Sequence, residues 1–354
     1  MILNDTSLPL LKGKLLRACA LGLAPKAVQW SMLAFGVCAL MLACTTPAEH
    51  SNPLDPESPR YTTAGSLRVR VTSFYPPYQA LAGARIRLLP LLMEVQSDAE
   101  GQYTFAELQS GDYTIVATKA GYDTVQLVAQ VRARELQTLE PRLNALPQLL
   151  SARIVCARIA TRNALAPRLV LEVFAEATDN DGANDVTRVV IHFPGRAQND
   201  TLQREGGPTR WKRVFTEEEI APVNPHDLVG VPLQIFAEDG NGKKSAPFAP
   251  QLARVITEEP LPTFPQNGAS INPNNIIMRW DLPALNFDHK QSLEVTRLDA
   301  GFPVSIFTAS KIEAGETFLP YPGRLASGNY YWTVKIIDSF GNSSRSKEAP
   351  FVVQ

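Results

Sequence analysis

Apolar side chains recur at every second position through most of this chain, and that period of two constrains the fold more than any other feature of the sequence. Leu67, Val69 and Val71 alternate with Arg68 and Arg70, and Ile86 and Leu88 alternate with Arg85 and Arg87. Successive side chains of a strand point to opposite faces, so each set describes a strand with one dry face and one wet face. From Ser66 onward no apolar stripe of helical period persists. The body is therefore expected to be all-β, and the chain, at 354 residues, is long enough for two or three domains.

Turn residues punctuate these runs. Asp98-Ala99-Glu100-Gly101 separates two strands, and Gly111 and Gly121 mark corners where a positive φ is expected. Four elements follow one another at regular spacing: Leu81-Ala82-Gly83-Ala84, then Asp98-Ala99-Glu100-Gly101-Gln102-Tyr103-Thr104-Phe105, then Leu108-Gln109-Ser110-Gly111-Asp112-Tyr113, then Lys119-Ala120-Gly121-Tyr122. Together they resemble the carboxypeptidase regulatory-like domain over about residues 65–144. The resemblance implies a seven-stranded prealbumin-like sandwich serving as an accessory module without catalytic residues.

The last hundred residues follow the same logic with other details. Ile277-Met278-Arg279-Trp280 sets a large aromatic on an early strand, and the run from Gly328 through Trp332 to Val334 reads as a late one. Together they supply the core of a sandwich of the fibronectin type III or immunoglobulin kind. Leu325-Ala326-Ser327-Gly328-Asn329-Tyr330 has the L-x-x-G-x-Y form also found from Leu108 to Tyr113. In a Greek-key sandwich such a tyrosine bonds back to upstream backbone, which makes Tyr113 and Tyr330 structural.

Between these two lies a segment expected to be immunoglobulin-like. Strands are read at 169–174, 186–193 and 231–237, with a long loop from 195 to 210. Its ending, Ala237-Glu238-Asp239-Gly240-Asn241-Gly242 before Pro247-Phe248, parallels Ile337-Asp338-Ser339-Phe340-Gly341-Asn342 before Pro350-Phe351. Both read as the last hairpin of a domain. The organisation expected is three tandem β-sandwich domains, prealbumin-like at 65–146, immunoglobulin-like at 147–258 and fibronectin type III-like at 259–354. A short stiff linker is expected at 258–265.

Ahead of the body, residues 27–43 form an apolar run interrupted only by Gln29 and Ser31, after a stretch carrying Lys12, Lys14, Arg17 and Lys26. This is an export-leader pattern at 1–43, and a run of this length also borders on a short membrane span, so an uncleaved anchor is the alternative. Met41-Leu42-Ala43-Cys44 resembles the bacterial lipobox, which implies that Cys44 is diacylated and becomes the new N-terminus. Thr45 carries no inner-membrane retention signal of that family, which points to the outer membrane of a cell with two. Residues 44–64, rich in Pro, Ser, Asn and acids, read as a flexible tether.

The leader carries Lys12, Lys14, Arg17 and Lys26 against Asp5 alone, leaving the remainder more acidic than the overall net of -1. No basic face for phosphates is left, so nucleic acid is not an expected partner. Of the four cysteines only Cys156 falls in the body, where it reads as a buried small hydrophobe. His50, His192, His226 and His289 sit in unrelated contexts, with no G-x-S-x-G elbow and no H-E-x-x-H pair to start a hydrolase or zinc site.

Two constellations remain. Asp179-Asn180-Asp181-Gly182-Ala183-Asn184-Asp185 clusters carboxylates suited to calcium, with Asp179, Asp181 and Asp185 as ligands and a polar hairpin turn as the alternative. Phe74-Tyr75-Pro76-Pro77-Tyr78 holds aromatic rings on a stiff loop, a platform for a sugar face or an apolar partner if Phe74, Tyr75 and Tyr78 stand free. The function expected is that of an envelope-anchored, non-catalytic lipoprotein. It would display or recognise a glycan or envelope protein through its sandwich loops, or serve as a structural spacer or assembly factor; a hydrolase is the third class.

Overall fold

A computed structural model describes residues 50–354. The leader, Cys44 and the start of the tether lie outside the described residues. Residues 50–63 form a succession of turns without strand or helix; among the described residues no helix is long and apolar enough to cross a membrane. Residues 64–354 form one compact unit.

The first sandwich contains β1 (Ala64–Arg70), β2 (Thr72–Ser73), β3 (Arg85–Leu89), β4 (Met93–Gln96), β5 (Gln102–Gln109), β6 (Gly111–Thr118), β7 (Val125–Val131), β8 (Leu136–Leu139) and β9 (Arg142–Leu143). A three-stranded sheet in the order β5-β1-β8 packs on a four-stranded sheet β4-β3-β6-β7, giving the seven long strands expected. Leu67, Val69, Ile86, Leu88, Phe105 and Ile115 fill the space between the sheets, while Arg68, Arg70, Arg85 and Arg87 face water. Buried Ser97 donates its hydroxyl to the Leu81 carbonyl (2.6 Å) and accepts the Ala84 N–H (2.9 Å), which fixes the loop ahead of β3. Gly121 has the positive φ expected (80°). Gly111 does not: it opens β6 without a left-handed backbone, and the positive φ near this corner belongs to Glu107 (φ 56°) in β5, while Gly101 (φ 74°) takes that role in the turn ahead of β5.

The second sandwich contains β10 (Gln148–Ile159), β11 (Arg168–Thr178), β12 (Val186–His192), β13 (Asp200–Thr201), β14 (Gln203–Arg204), β15 (Arg210–Thr216), the one-turn helix α1 (Glu217–Ile220) and β16 (Gln234–Asp239). Sheet β14-β15-β11-β10 faces sheet β13-β12-β16 across a core of Leu171, Val173, Val189, Ile191, Phe193, Trp211, Phe215 and Ile235. Two features depart from the sequence reading. The loop at 195–210 contains the short strands β13 and β14, and α1 is held by a capping box in which Thr216 and Glu219 bond each other's backbone N–H.

The third sandwich contains β17 (Leu261–Phe264), β18 (Ala269–Ile271), β19 (Ile277–Asp281), β20 (His289–Asp299), β21 (Phe302–Ile312), β22 (Phe318–Pro320), β23 (Gly328–Asp338), β24 (Ser343–Arg345) and β25 (Ala349–Val353). Trp280 and Trp332 meet edge to face at its centre, ring centroids 6.2 Å apart. Each indole N–H is satisfied, one by Gln291 Oε1 (2.6 Å) and the other by the Pro265 carbonyl (2.7 Å). Tyr113 and Tyr330 donate their hydroxyls to the carbonyls four residues upstream, Gln109 (3.0 Å) and Ala326 (2.7 Å), the structural role expected of both.

The segment expected to be a linker is not one throughout. Leu261–Phe264 forms β17, an edge strand against β19, where a proline costs no ladder bond. The second and third sandwiches also share a sheet. β10 pairs in parallel with β24 through Ala157↔Ser343, Arg158↔Ser344 and Ile159↔Arg345, so strands of both belong to one ten-stranded sheet.

Candidate functional site

The polar groups of the body converge at the junction of the first and second sandwiches. Four segments meet there: the aromatic loop after β2, the strap at Asn144 and Ala145 after β9, the turn between β11 and β12, and the hairpin after β16. Asp239 organises the hairpin, its Oδ1 accepting the N–H groups of Asn241 (2.9 Å) and Lys243 (2.7 Å). Its Oδ2 accepts the side-chain amide of Asn144 (2.6 Å), and the Asn241 amide donates to Asn144 Oδ1 (2.6 Å). Asn144 is itself strapped to the first sandwich, its backbone N–H donating to Asp123 Oδ1 (2.9 Å). Lys243 pairs with Asp123 (3.2 Å) across the same seam.

The hairpin after β23 does the same work at the next junction. Asp338 Oδ1 accepts the N–H groups of Phe340 (2.9 Å) and Asn342 (2.8 Å), matching the bonds of Asp239 position for position. Its Oδ2 forms an ion pair with Arg254 of the second sandwich (3.1 Å). Asn342 Oδ1 accepts the backbone N–H of Cys156 in β10 (2.9 Å). Arg158 reaches Glu259 (2.7 Å), and Arg345 donates to the Ala160 carbonyl (3.0 Å). The repeated hairpins visible in the sequence are thus interdomain clasps, each holding the domain before it.

At the first junction the carboxylates of Asp179, Asp181 and Asp185 lie together, with one oxygen from each within 4.8 Å of the others. Asp179 Oδ1 accepts the Asp181 N–H (2.8 Å), Asp181 Oδ2 the Ala145 N–H (2.7 Å) and Asp185 Oδ1 the Tyr75 hydroxyl (3.0 Å). The other oxygens of Asp179 and Asp185 are buried without a hydrogen-bond partner. Burial, with the neighbouring carboxylates behind it, pushes the Asp179 carboxyl up to about 6, and burial also raises that of Asp181.

The comparisons bear on the first sandwich most directly. Residues 66–144 match the family model of the carboxypeptidase regulatory-like domain. The carboxypeptidase regulatory-like domain therefore carries the aromatic loop and the Asn144 strap on one side of this junction. No curated protein matches the chain in sequence. Among solved structures, the chain is similar to the Bacillus anthracis TIE protein (11% identity, 82% of this chain and 49% of that one, TM-score 0.27), and so spans about half its length. It is also similar to chicken CNTN1 FN1-FN3 domains (12%, 78% and 92%, TM-score 0.30) and to Clostridium thermocellum CbhA fibronectin(III)-like modules (13%, 59% and 93%, TM-score 0.28). Scores this low carry no argument, and the sandwich folds rest on the strand order and cores above.

The aromatic loop of the carboxypeptidase regulatory-like domain is divided between two environments. Phe74 and Tyr78 are exposed, at 40% and 37%, and the Arg142 guanidinium lies 4.1 Å over the Tyr78 ring. Tyr75 is half-buried and does not stand beside Tyr78 as a free pair. Its hydroxyl donates to Asp185 and accepts from the Asn241 amide (3.0 Å). The sequence reading singled out the Asp179 cluster and the loop separately and did not foresee that they meet. It missed Asn144, Asp239 and Asn241, although the repeat of the two hairpins was the available signal.

Proposed function

We propose that the chain is an envelope-tethered, non-catalytic spacer that holds three sandwiches at fixed orientation beyond a lipidated Cys44. The observation that supports this reading is the pair of clasps, in which the same hairpin turn binds each domain to its predecessor. A string of binding modules on free hinges has no need of buried side chains spent at both seams, since domain motion is the default where interfaces are small and polar. The histidines support a non-catalytic role. His192 bonds Asn199 (2.9 Å) and His289 the Phe287 carbonyl (3.2 Å), while His226 lies in a short turn elsewhere, its backbone N–H donating to the side chain of the capping Asn224 (2.9 Å). The open groove of about 350 Å³ beside His289 is lined by Asp288 and Asp338, yet Asp338 is already engaged by Arg254 and its own hairpin.

Phe74 and Tyr78 favour a second reading, display of a recognition surface for a glycan or envelope protein. A glycan array and a pull-down from membranes with the detergent-solubilised full chain separate the two. The spacer reading expects no glycan binding, and Cys44→Ser should release the chain from the membrane fraction. Ligand capture that is lost on Phe74→Ala or Tyr78→Ala would establish display instead, and firm membrane attachment of Cys44→Ser would defeat the lipid anchor.

A further inference from the structure

We propose that Asp179, Asp181 and Asp185 hold a calcium ion that fastens the first sandwich to the second. Calcium binds oxygens at about 2.3–2.6 Å, so two oxygens on opposite sides of one ion stand about 4.8 Å apart. One oxygen of each carboxylate lies within that span of the others, the clustering that ligation of a single ion requires.

The second observation is independent of the clustering. Asp179 is 5% exposed, and its Oδ2 is buried with no hydrogen-bond partner, as is Asp185 Oδ2. A buried polar atom left unsatisfied costs roughly 1–3 kcal/mol, and more when charged, so such an oxygen signals a missing partner. The cations at hand do not supply one. Lys243 goes to Asp123 (3.2 Å) and Lys244 to Glu238 (3.3 Å), and among the described residues none of the three carboxylates takes an ion pair. A divalent ion answers both the orphaned oxygens and the mutual repulsion of the carboxylates.

Calcium fits better than magnesium. An irregular set of carboxylates on a partly buried turn suits its variable coordination, whereas magnesium demands near-ideal octahedral geometry. Asp181 and Asp185 remain partly open, leaving room for water to complete the shell. The consequence for the junction lies in the remaining oxygens: Asp181 also accepts the Ala145 N–H and Asp185 also accepts the Tyr75 hydroxyl. The ion would fix the carboxylates that grip the first sandwich.

The test is calorimetric titration of chelator-treated, detergent-solubilised full chain with Ca²⁺ and separately with Mg²⁺, followed by melting in each. Expected are one saturable Ca²⁺ site, at least tenfold weaker binding of Mg²⁺, and a Ca²⁺-dependent rise in melting temperature. Asp179→Asn and Asp185→Asn should each weaken Ca²⁺ binding at least tenfold, while Asp299→Asn in the third sandwich leaves it unchanged. In chelator the two Asn variants should melt at or above the wild type, because the amide removes repulsion without changing shape. A folded wild type that takes up no Ca²⁺, or that binds it equally after Asp179→Asn, overturns the proposal. The wild-type titration decides the matter even if a variant fails to fold. The ion stands apart from the spacer reading, which fails on loose junctions rather than on absent calcium.

Discussion

The side-chain carbonyl of Asn342 accepts the backbone N–H of Cys156, 186 residues earlier in the chain, at 2.9 Å. Asn342 is fully buried, and its amide group donates in turn to Asp338 Oδ2 (3.0 Å). One side chain thereby completes the edge of β10 and closes the hairpin that clasps it. Asn342→Ala leaves a buried N–H without an acceptor, which should cost about 1–3 kcal/mol in denaturant unfolding. Loss of this stability without loss of fold is the expected result.

The thiol of Cys156 is 1% exposed, and burial, aided by the charge of Glu217, pushes it up to about 12. In the unfolded chain a thiol ionises near 8.5. Between those values the folded state holds a proton that the unfolded state has lost, so the Cys156 contribution to stability declines as pH rises through that window. The stability difference between wild type and Cys156→Ala should therefore narrow from pH 8 to pH 10. Peptide-mapped alkylation at pH 8 should find Cys156 unmodified until the chain unfolds.

Two glycines of the first sandwich separate conformational from steric cost. Gly101 has φ 74°, and a Cβ there would stand 2.5 Å from the Val71 carbonyl oxygen. Gly83 has φ 67° with open space around it. Gly83→Ala should cost only the left-handed backbone penalty, about 1–2 kcal/mol, whereas Gly101→Ala should cost more because the backbone at Val71, between β1 and β2, must shift as well. Equal losses in parallel unfolding curves would contradict the stated contact.

The core was legible because burial follows a period of two. Leu67, Val69 and Val71 could be assigned to one face from the arginines between them, and the L-x-x-G-x-Y corners declared Tyr113 and Tyr330. The seams were not legible for a different reason. The pairing of β10 with β24 uses backbone groups, which every residue possesses, so Ala157 and Ser343 carry no mark of it. Likewise Asp239 and Asp338 announced a turn, but a turn aspartate has one oxygen to spare, and only the assembled chain shows that it is given to Asn144 in one case and Arg254 in the other. The short helix α1 had a signal, Thr216 followed by Glu219, that lay too close to a strand to be weighed as a cap. The Asp179 cluster was visible as composition, while its convergence with Tyr75 depends on the packing of two domains.

The central claim is that the sandwiches form one locked body, and hydrogen exchange of the full chain tests it most directly. Peptides covering residues 155–160 and 342–346 should exchange as slowly as the core of β23, because the N–H of Cys156 and the β10–β24 pairing are closed only while the domains stay joined. Amides that β10 shares with β11 and β24 with β23 stay protected in either case, so exchange within seconds of the bridging amides, that of Cys156 first, would mean that the junction opens freely and the account is wrong.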